Sequence, residues 1–348
     1  MKRTLAMLAL AQAVSLCAAA PSQSGFEQGY PIPAGQVPAG YNHAGRYAVQ
    51  GWDFFLQGSF IYWQSSQDGM DIATSVNGSL QRTDSHLFSS DFAYSPGFKV
   101  RTGWNTSFDD WTTYAEYTWF RGSSHTTTSA PTGLLLLATD WLNFQGGPTA
   151  TAISSHWRPH LDLLDVHVTR PYYQGTKLTV SPYAGLRAAW IRQSFRVAYD
   201  TVNLLSQRVV SHNHSYSWGI GPRAGFLFDW LLGMGFKVTG EANGSILYTR
   251  YTKVTNRQDS ISNGVPLVER LEDYGCLRPN TGVALGLAWG RYFDQQKYHL
   301  DFAASYEWSA FWSQNMMRVL TDSYLVGTGY APSALFLQGL TASLRFDF

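Results

Sequence analysis

The chain has 348 residues and a formal net charge of +1, with 14% charged and 15% aromatic residues and 13 Trp. Charge this far below the roughly 25% of ordinary soluble domains, and balanced in sign, points to no nucleic-acid partner and argues against a heavily solvated globule. No stretch after residue 20 runs 18 apolar residues, which excludes a membrane-spanning helix in that part of the chain.

The first twenty residues, MKRTLAMLALAQAVSLCAAA, pair a basic start (Lys2, Arg3) with an apolar middle and a small-residue end. That pattern reads as a secretory signal peptide over 1–19, cut near Ala19. Its loss takes the formal charge from +1 to −1. Leu16, just before Cys17, is too large for a lipoprotein signal, so lipidation is not expected. Residues 20–50 are rich in Pro, Gly and Gln and read as a flexible lead. Residues 51–348 read as one barrel domain. Cys276 is then the single remaining thiol, read first as an inert side chain and second as an intermolecular link.

From residue 52 the chain alternates apolar and polar residues in one segment after another, the period of a half-buried strand. WDFFLQGSFIYW (52–63) is the least regular, because Phe55, Ile61 and Trp63 spoil its second face. GFKVRTGW sets Phe98, Val100 and Trp104 against Lys99 and Arg101, and WTTYAEYTWF sets Trp111, Ala115, Tyr117 and Trp119 against Glu116. LDLLDVHVTR sets Leu164, Val166 and Val168 against Asp165 and His167. KLTVSPYAGLRAAW, SWGIGPRAGFLFDW and GFKVTGEANGSILY follow, with Arg187, Arg223, Lys237 and Glu241 on their polar faces. LRPNTGVALGLAWG and HLDFAASYEW add Arg278, Asp301 and Glu307. The segment ALFLQGLTASLRFDF separates Leu340, Ala342, Leu344, Phe346 and Phe348 from Thr341, Ser343, Arg345 and Asp347. The expectation is ten strands, with twelve as the alternative.

The links between these segments alternate in length. Those near 65–94, 122–157, 196–208, 254–273 and 313–333 are long, and those near 106–110, 171–176, 230–234 and 292–296 are short. This is the asymmetry of an outer-membrane barrel with short periplasmic turns and long outer loops. The fold class expected is all-β, a transmembrane antiparallel β-barrel. A soluble barrel would carry many charges on its polar face. Here the polar faces are mostly Gly, Ser, Thr and Asn, while aromatic residues gather near both sets of links, as at the two surfaces of a bilayer. Trp104, Trp111, Trp230, Tyr298 and Phe348 lie toward the short turns, and Tyr62, Trp119, Trp190, Tyr248 and Trp308 toward the long loops. Phe348, after alternating apolar residues, resembles the signal by which the barrel assembly machinery recognises its clients.

The chain resembles the MOMP-like pore-forming outer-membrane proteins of the Legionella and chlamydia-related type. The stretches that carry the resemblance are FIYWQSSQDGMDIA (60–73), SPGFKVRTGWNTSFDDWTTYAEYTWFR (95–121), YAGLRAAWIRQSF (183–195) and the terminal SLRFDF. The resemblance implies a porin-like role and a place in the outer membrane, and it supplies no catalytic residues to transfer. No enzyme activity, cofactor or metal is expected. The expected partners are outer-membrane lipid, the barrel assembly machinery through Phe348 and, with no interface marked in the sequence, a homo-oligomer; nucleic acid is not among them.

If the apolar faces meet lipid, parity assigns the lumen. Its basic residues are Lys99, Arg101, Arg187, Arg223, Lys237, Arg278 and Arg345, and its acidic ones Asp53, Glu116, Asp165, Glu241, Asp301, Glu307 and Asp347. As an open pore, this balance implies weak ion selectivity and passage of small hydrophilic solutes. Alternatively the charges pair across the interior and fill it, since barrels of about eight strands are filled by side chains. GLLLLATDWLNF (133–144), in an outer loop, is expected to be a short helix capping the rim, with a constriction in the mouth as the alternative. His212 and His214 read as solvated loop histidines sooner than metal ligands, and Asp109 and Asp110 as turn residues sooner than a carboxylate pair. Two further functions compete: an adhesin or structural role for the long loops, and a barrel-borne hydrolase that would need Asp71 close to His212 or His214.

Overall fold

The computed structural model describes residues 53–77, 86–106, 111–130, 134–138, 141–142, 149–175, 177–202, 208–259, 266–295, 297–326 and 332–348. The leader, the 20–50 segment and Asp109–Asp110 lie outside the described residues.

Ten long strands carry the fold: β1 (Phe54–Gln67), β2 (Tyr94–Asn105), β3 (Thr112–Arg121), β4 (Thr149–Thr169), β5 (Leu178–Thr201), β6 (Arg208–Gly233), β7 (Phe236–Gln258), β8 (Tyr274–Phe293), β9 (Tyr298–Asn315) and β10 (Ser333–Asp347). Each pairs antiparallel with the next, and β10 returns to β1 in the register Phe55↔Asp347 to Gln67↔Leu335. Phe54 and Phe348 complete this seam by exchanging backbone hydrogen bonds of 3.0 and 2.9 Å. A sheet in hydrocarbon can satisfy its backbone groups only by closing in this way. Gly339 in β10 makes the seam fit. Its φ of +153° and its contact with β1 leave no space for a Cβ, which would strike the Tyr62 carbonyl oxygen. The hairpin between β6 and β7 is a two-residue turn, Met234–Gly235, both with positive φ, as the twist of the flanking strands requires.

The lower part of the barrel faces the way the alternation predicts. Phe226, Leu285 and Phe302 point outward and are 47%, 56% and 50% exposed, the reverse of a soluble core. Two aromatic rows bound this apolar band, twelve positions apart at Trp218 and Trp230 on β6 and at Phe236 and Tyr248 on β7. Twelve residues rise about 40 Å along a strand, and a 45° tilt reduces that to about 28 Å, the depth of a hydrocarbon core.

Above the upper aromatic row the alternation continues with its polarity reversed. On β5, Ile191, Gln193, Phe195, Val197 and Tyr199 point inward and are buried, while Arg192, Ser194, Arg196 and Asp200 point out. The same inversion places Trp157 on β4, Val209 on β6, Val254 on β7 and Phe311 on β9 in one apolar core inside the barrel. Ile61 and Trp63, two of the three irregular positions of β1, belong to it, while Phe55 lies lower, under the Arg345 guanidinium. Beyond the bilayer, water replaces lipid outside the sheet, so the favourable arrangement becomes that of a soluble barrel.

This inversion corrects several loop assignments. The link expected at 196–208 is mostly strand, because β5 runs to Thr201 and β6 begins at Arg208. The outer segments also supply the strands Asp71–Asn77, Leu87–Ser89, Ser124–Ser129, Leu134–Ala138 and Leu267–Leu271, and helix α1 (Met316–Val326). Within 133–144, the expected rim helix is instead the strand Leu134–Ala138, paired with Asp71–Asn77 and β4. Trp141 follows it into the mouth, its ring 4.7 Å from that of Phe195 and its N–H donating to the Asp71 carbonyl at 2.7 Å. Met316 and Met317 of α1 join the same core.

Candidate functional site

Strand register assembles the polar lumen. Arg101, Glu116, Asp165 and Arg187 are successive register partners across β2, β3, β4 and β5, all on the inward face. Neighbours on such a rung stand about 5 Å apart, so the two central carboxylates are each flanked by an arginine within ion-pair reach. Arg101 grips Glu116 at 2.7 Å. Arg187 holds Asp165 through two bonds of 2.7 Å, and Arg223 of β6 reaches over β5 to the same carboxylate at 2.7 Å. Arg223 also donates to Glu241 of β7 at 2.8 Å, and the Tyr183 hydroxyl donates to Glu241 as well. Asn280 of β8 accepts from Arg187. The network thus runs through five neighbouring strands, with Asp165 wholly buried at its centre.

Other pairs cross the lumen or line its lower end. Lys99 of β2 meets Glu307 of β9 at 2.6 Å. Lys237 meets Asp301 at 3.0 Å and lies 3.7 Å from Asp229. Asp347 accepts from Arg345 at 2.6 Å and lies 3.2 Å from His299. Fully paired charges of this kind offset much of their desolvation cost, whereas an unpaired one would not.

Two cavities remain between these groups. The lower, about 180 Å³, is lined by four basic residues (Lys99, Arg101, Lys237, Arg345) and five acidic ones (Glu116, Asp229, Glu241, Asp301, Glu307). The upper shrinks to about 50 Å³ between Arg187, Arg223, Glu307, Trp63 and Leu337. Above it the apolar core begins, with Trp63 and Phe120 packed ring to ring at 5.9 Å.

Of the fourteen charged residues assigned by parity, thirteen point inward along the strands, and Asp53 lies just before β1. Twelve join these pairs and cavities. Arg278 sits higher, its guanidinium 5.8 Å from the Tyr251 ring centre and one N–H on Met316 sulfur at 3.2 Å. The site also takes in Asp229, His167 and Asn280, which lie on the same polar faces but outside the set of assigned lumen charges. Only the three-dimensional closure shows that Asn280 meets Arg187. His212 and His214 are strand residues of β6, not loop residues, and face outward. The strand holding Asp71 is tied to inward-pointing Tyr199 by a 3.1 Å bond to the Ile72 carbonyl, so Asp71 is not brought to either histidine. Among the described residues no group of three metal-ligating side chains forms.

Several known proteins are similar to this chain. The outer membrane protease OmpT of Escherichia coli shares 9% identity at a TM-score of 0.43, covering 85% of this chain and 96% of its own. A major outer membrane protein of Thermus thermophilus shares 13% at 0.31, covering 84% and 99%. The Pseudomonas putida toluene transporter TodX shares 8% at 0.29, covering 85% and 89%. No curated protein sequence matches. The model of one family, described as the Legionella pneumophila major outer membrane protein precursor, matches residues 48–348. With that match over the whole closed barrel, the chain belongs to the Legionella major outer membrane protein family and is a β-barrel of the bacterial outer membrane.

Proposed function

We propose that the barrel is a narrow pore for ions and small hydrophilic solutes, with the charge-lined lower lumen as its wet segment. The observation that carries this reading is the 180 Å³ cavity with nine ionisable side chains at bilayer depth. Ionisable groups inside a membrane are costly and mark a pathway more often than a scaffold. The apolar core above closes the passage in this conformation, so conduction requires the Trp63–Phe120 layer to part. With five acids against four bases around the cavity, the pore is weakly cation-selective.

The test is planar-bilayer recording of the refolded protein beside a Trp63→Ala/Phe120→Ala variant and Asp229→Asn. Small steps in the parent, larger ones in the double variant and a loss of cation preference in Asp229→Asn are expected. The apolar layer itself favours a second reading, a filled scaffold that works through its outer surface. Silence from both the parent and the double variant, each folded by heat-shift on SDS gels, would establish that reading instead.

A further inference from the structure

The outward face of β4 to β7 above the aromatic row carries a concentration of positive charge that the lumen does not use. The aromatic row itself sets Trp190 between Asp162 and Trp218. One step up, Arg192 stands between His160 and Tyr216, with Lys253 beyond. Two steps up, Ser194 stands between Arg158 and His214, followed by Thr255 and Arg270. Three steps up, Arg196 stands between His156 and His212, followed by Arg257.

Six cations in these rows, Arg158, Arg192, Arg196, Lys253, Arg257 and Arg270, are exposed and make no ion pair among the described residues. The nearby acids are few, and among the described residues Glu269 and Glu272 flank Arg270 without an ion pair to it. Asp162 is taken by Arg121 at 2.9 Å, Asp200 by Arg208 at 3.8 Å and Asp273 by Arg250 at 3.0 Å. Asp259 alone lines the cavity of about 480 Å³ that opens here between His212 and His214 on one side and Lys253, Arg257 and Arg270 on the other. The four histidines of the face are held below their usual range, by burial first and, for each, by neighbouring cations. The opposite side of the barrel differs. Above its aromatic row, β1, β9 and β10 present Gln64, Ser66, Trp312, Phe336 and Gln338, with no cation. A merely solvated rim would not segregate charge in this way.

We infer that this face binds the headgroup of an outer-leaflet lipid whose phosphates are carried on a saccharide, while Leu186, Trp190 and Ile220 below receive its acyl chains. Position selects that occupant. The cations continue the lipid-facing side of the same strands, so a headgroup meets them without leaving the bilayer. Height selects its size. Each step is about 6.6 Å along the strand, so a 45° tilt puts the third row about 14 Å above the aromatic row. An ordinary phospholipid headgroup layer reaches only about 5–7 Å. Arginines dominate, and their planar donor forks suit phosphate oxygens.

The test uses the delipidated full-length barrel in neutral detergent and native mass spectrometry. The probes are bisphosphorylated lipid A, the same lipid stripped of phosphate, and inorganic pyrophosphate. Bisphosphorylated lipid A should bind at least about tenfold more tightly than the stripped lipid. The quadruple variant Arg192→Gln/Arg196→Gln/Lys253→Gln/Arg257→Gln should lose that difference while keeping its SDS heat-shift. Equal binding of the two lipids overturns the inference, and so does a folded variant that binds like the parent. Pyrophosphate binding as tightly as lipid A overturns the lipid assignment in favour of a soluble anion. The comparison of the two lipids on the parent decides the matter even if the variant does not fold.

Discussion

At Asp165 one carboxylate serves two guanidiniums, and it is the one carboxylate described in contact with Arg187. Asp165→Asn keeps the shape and removes the charge, leaving Arg187 without its counter-ion and Arg223 with Glu241 alone. Breaking a buried pair by removing one partner costs about 3–5 kcal/mol. The expected outcome is a large fall in the urea midpoint of the refolded barrel, with Asp165→Glu recovering part of it. If Asp165→Asn unfolds at the parent's midpoint, the network does not stabilise the fold. Gly339 supplies a steric test on the seam. Gly339→Ala places a Cβ against the Tyr62 carbonyl, and slower appearance of the SDS-resistant folded band is the expected result.

At the scale of the strand, β5 carries both polarities. Leu186 and Trp190 face lipid, and further along the same strand Phe195 and Tyr199 face a dry interior. Phe195→Ala should cost about 3–5 kcal/mol by cavity formation. Because the outer half hangs on this core, the loss should show first as proteolytic cutting of the outer segments, before the SDS-resistant lower barrel is lost. Equal resistance in parent and variant would sink that expectation. The ten strands, their order and the inward charges were legible because one rule, charge inward and most apolar side chains outward, runs through the bilayer band. The outer half was not, because the rule changes sign at Trp190 while the period stays at two. RVAYD (196–200) therefore reads as the start of a loop although it is strand throughout, and Ile61 and Trp63 read as irregularities although they are core. In the lumen, parity found the charges but not their closure into pairs, since pairing across a barrel depends on diameter and on neighbours such as Asn280 that carry no charge.

Taken whole, the molecule is two environments stacked along one ring, and the upper one carries four histidines that respond to mild acid. His156, His160, His212 and His214 have folded-state pKa values below the ordinary imidazole value, from burial and from nearby arginines and lysine. An unfolded chain binds protons more readily there, so stability is fully present above about pH 6.5 and is lost as pH falls through the lower folded values. Urea midpoints should be level from pH 7 to 8 and decline below about pH 6.5, with a shallower decline in His212→Gln/His214→Gln. A midpoint that rises on acidification would contradict this sign.

The seam between β1 and β10 has a kinetic consequence. It joins Phe54 to Phe348, so the last neighbour of the first strand is nearly three hundred residues away. No described intermediate arc of strands can protect both of its borders, and every partial assembly exposes two rows of unsatisfied amides to lipid. Insertion is therefore coupled to circularisation and slow on the scale of local hairpins.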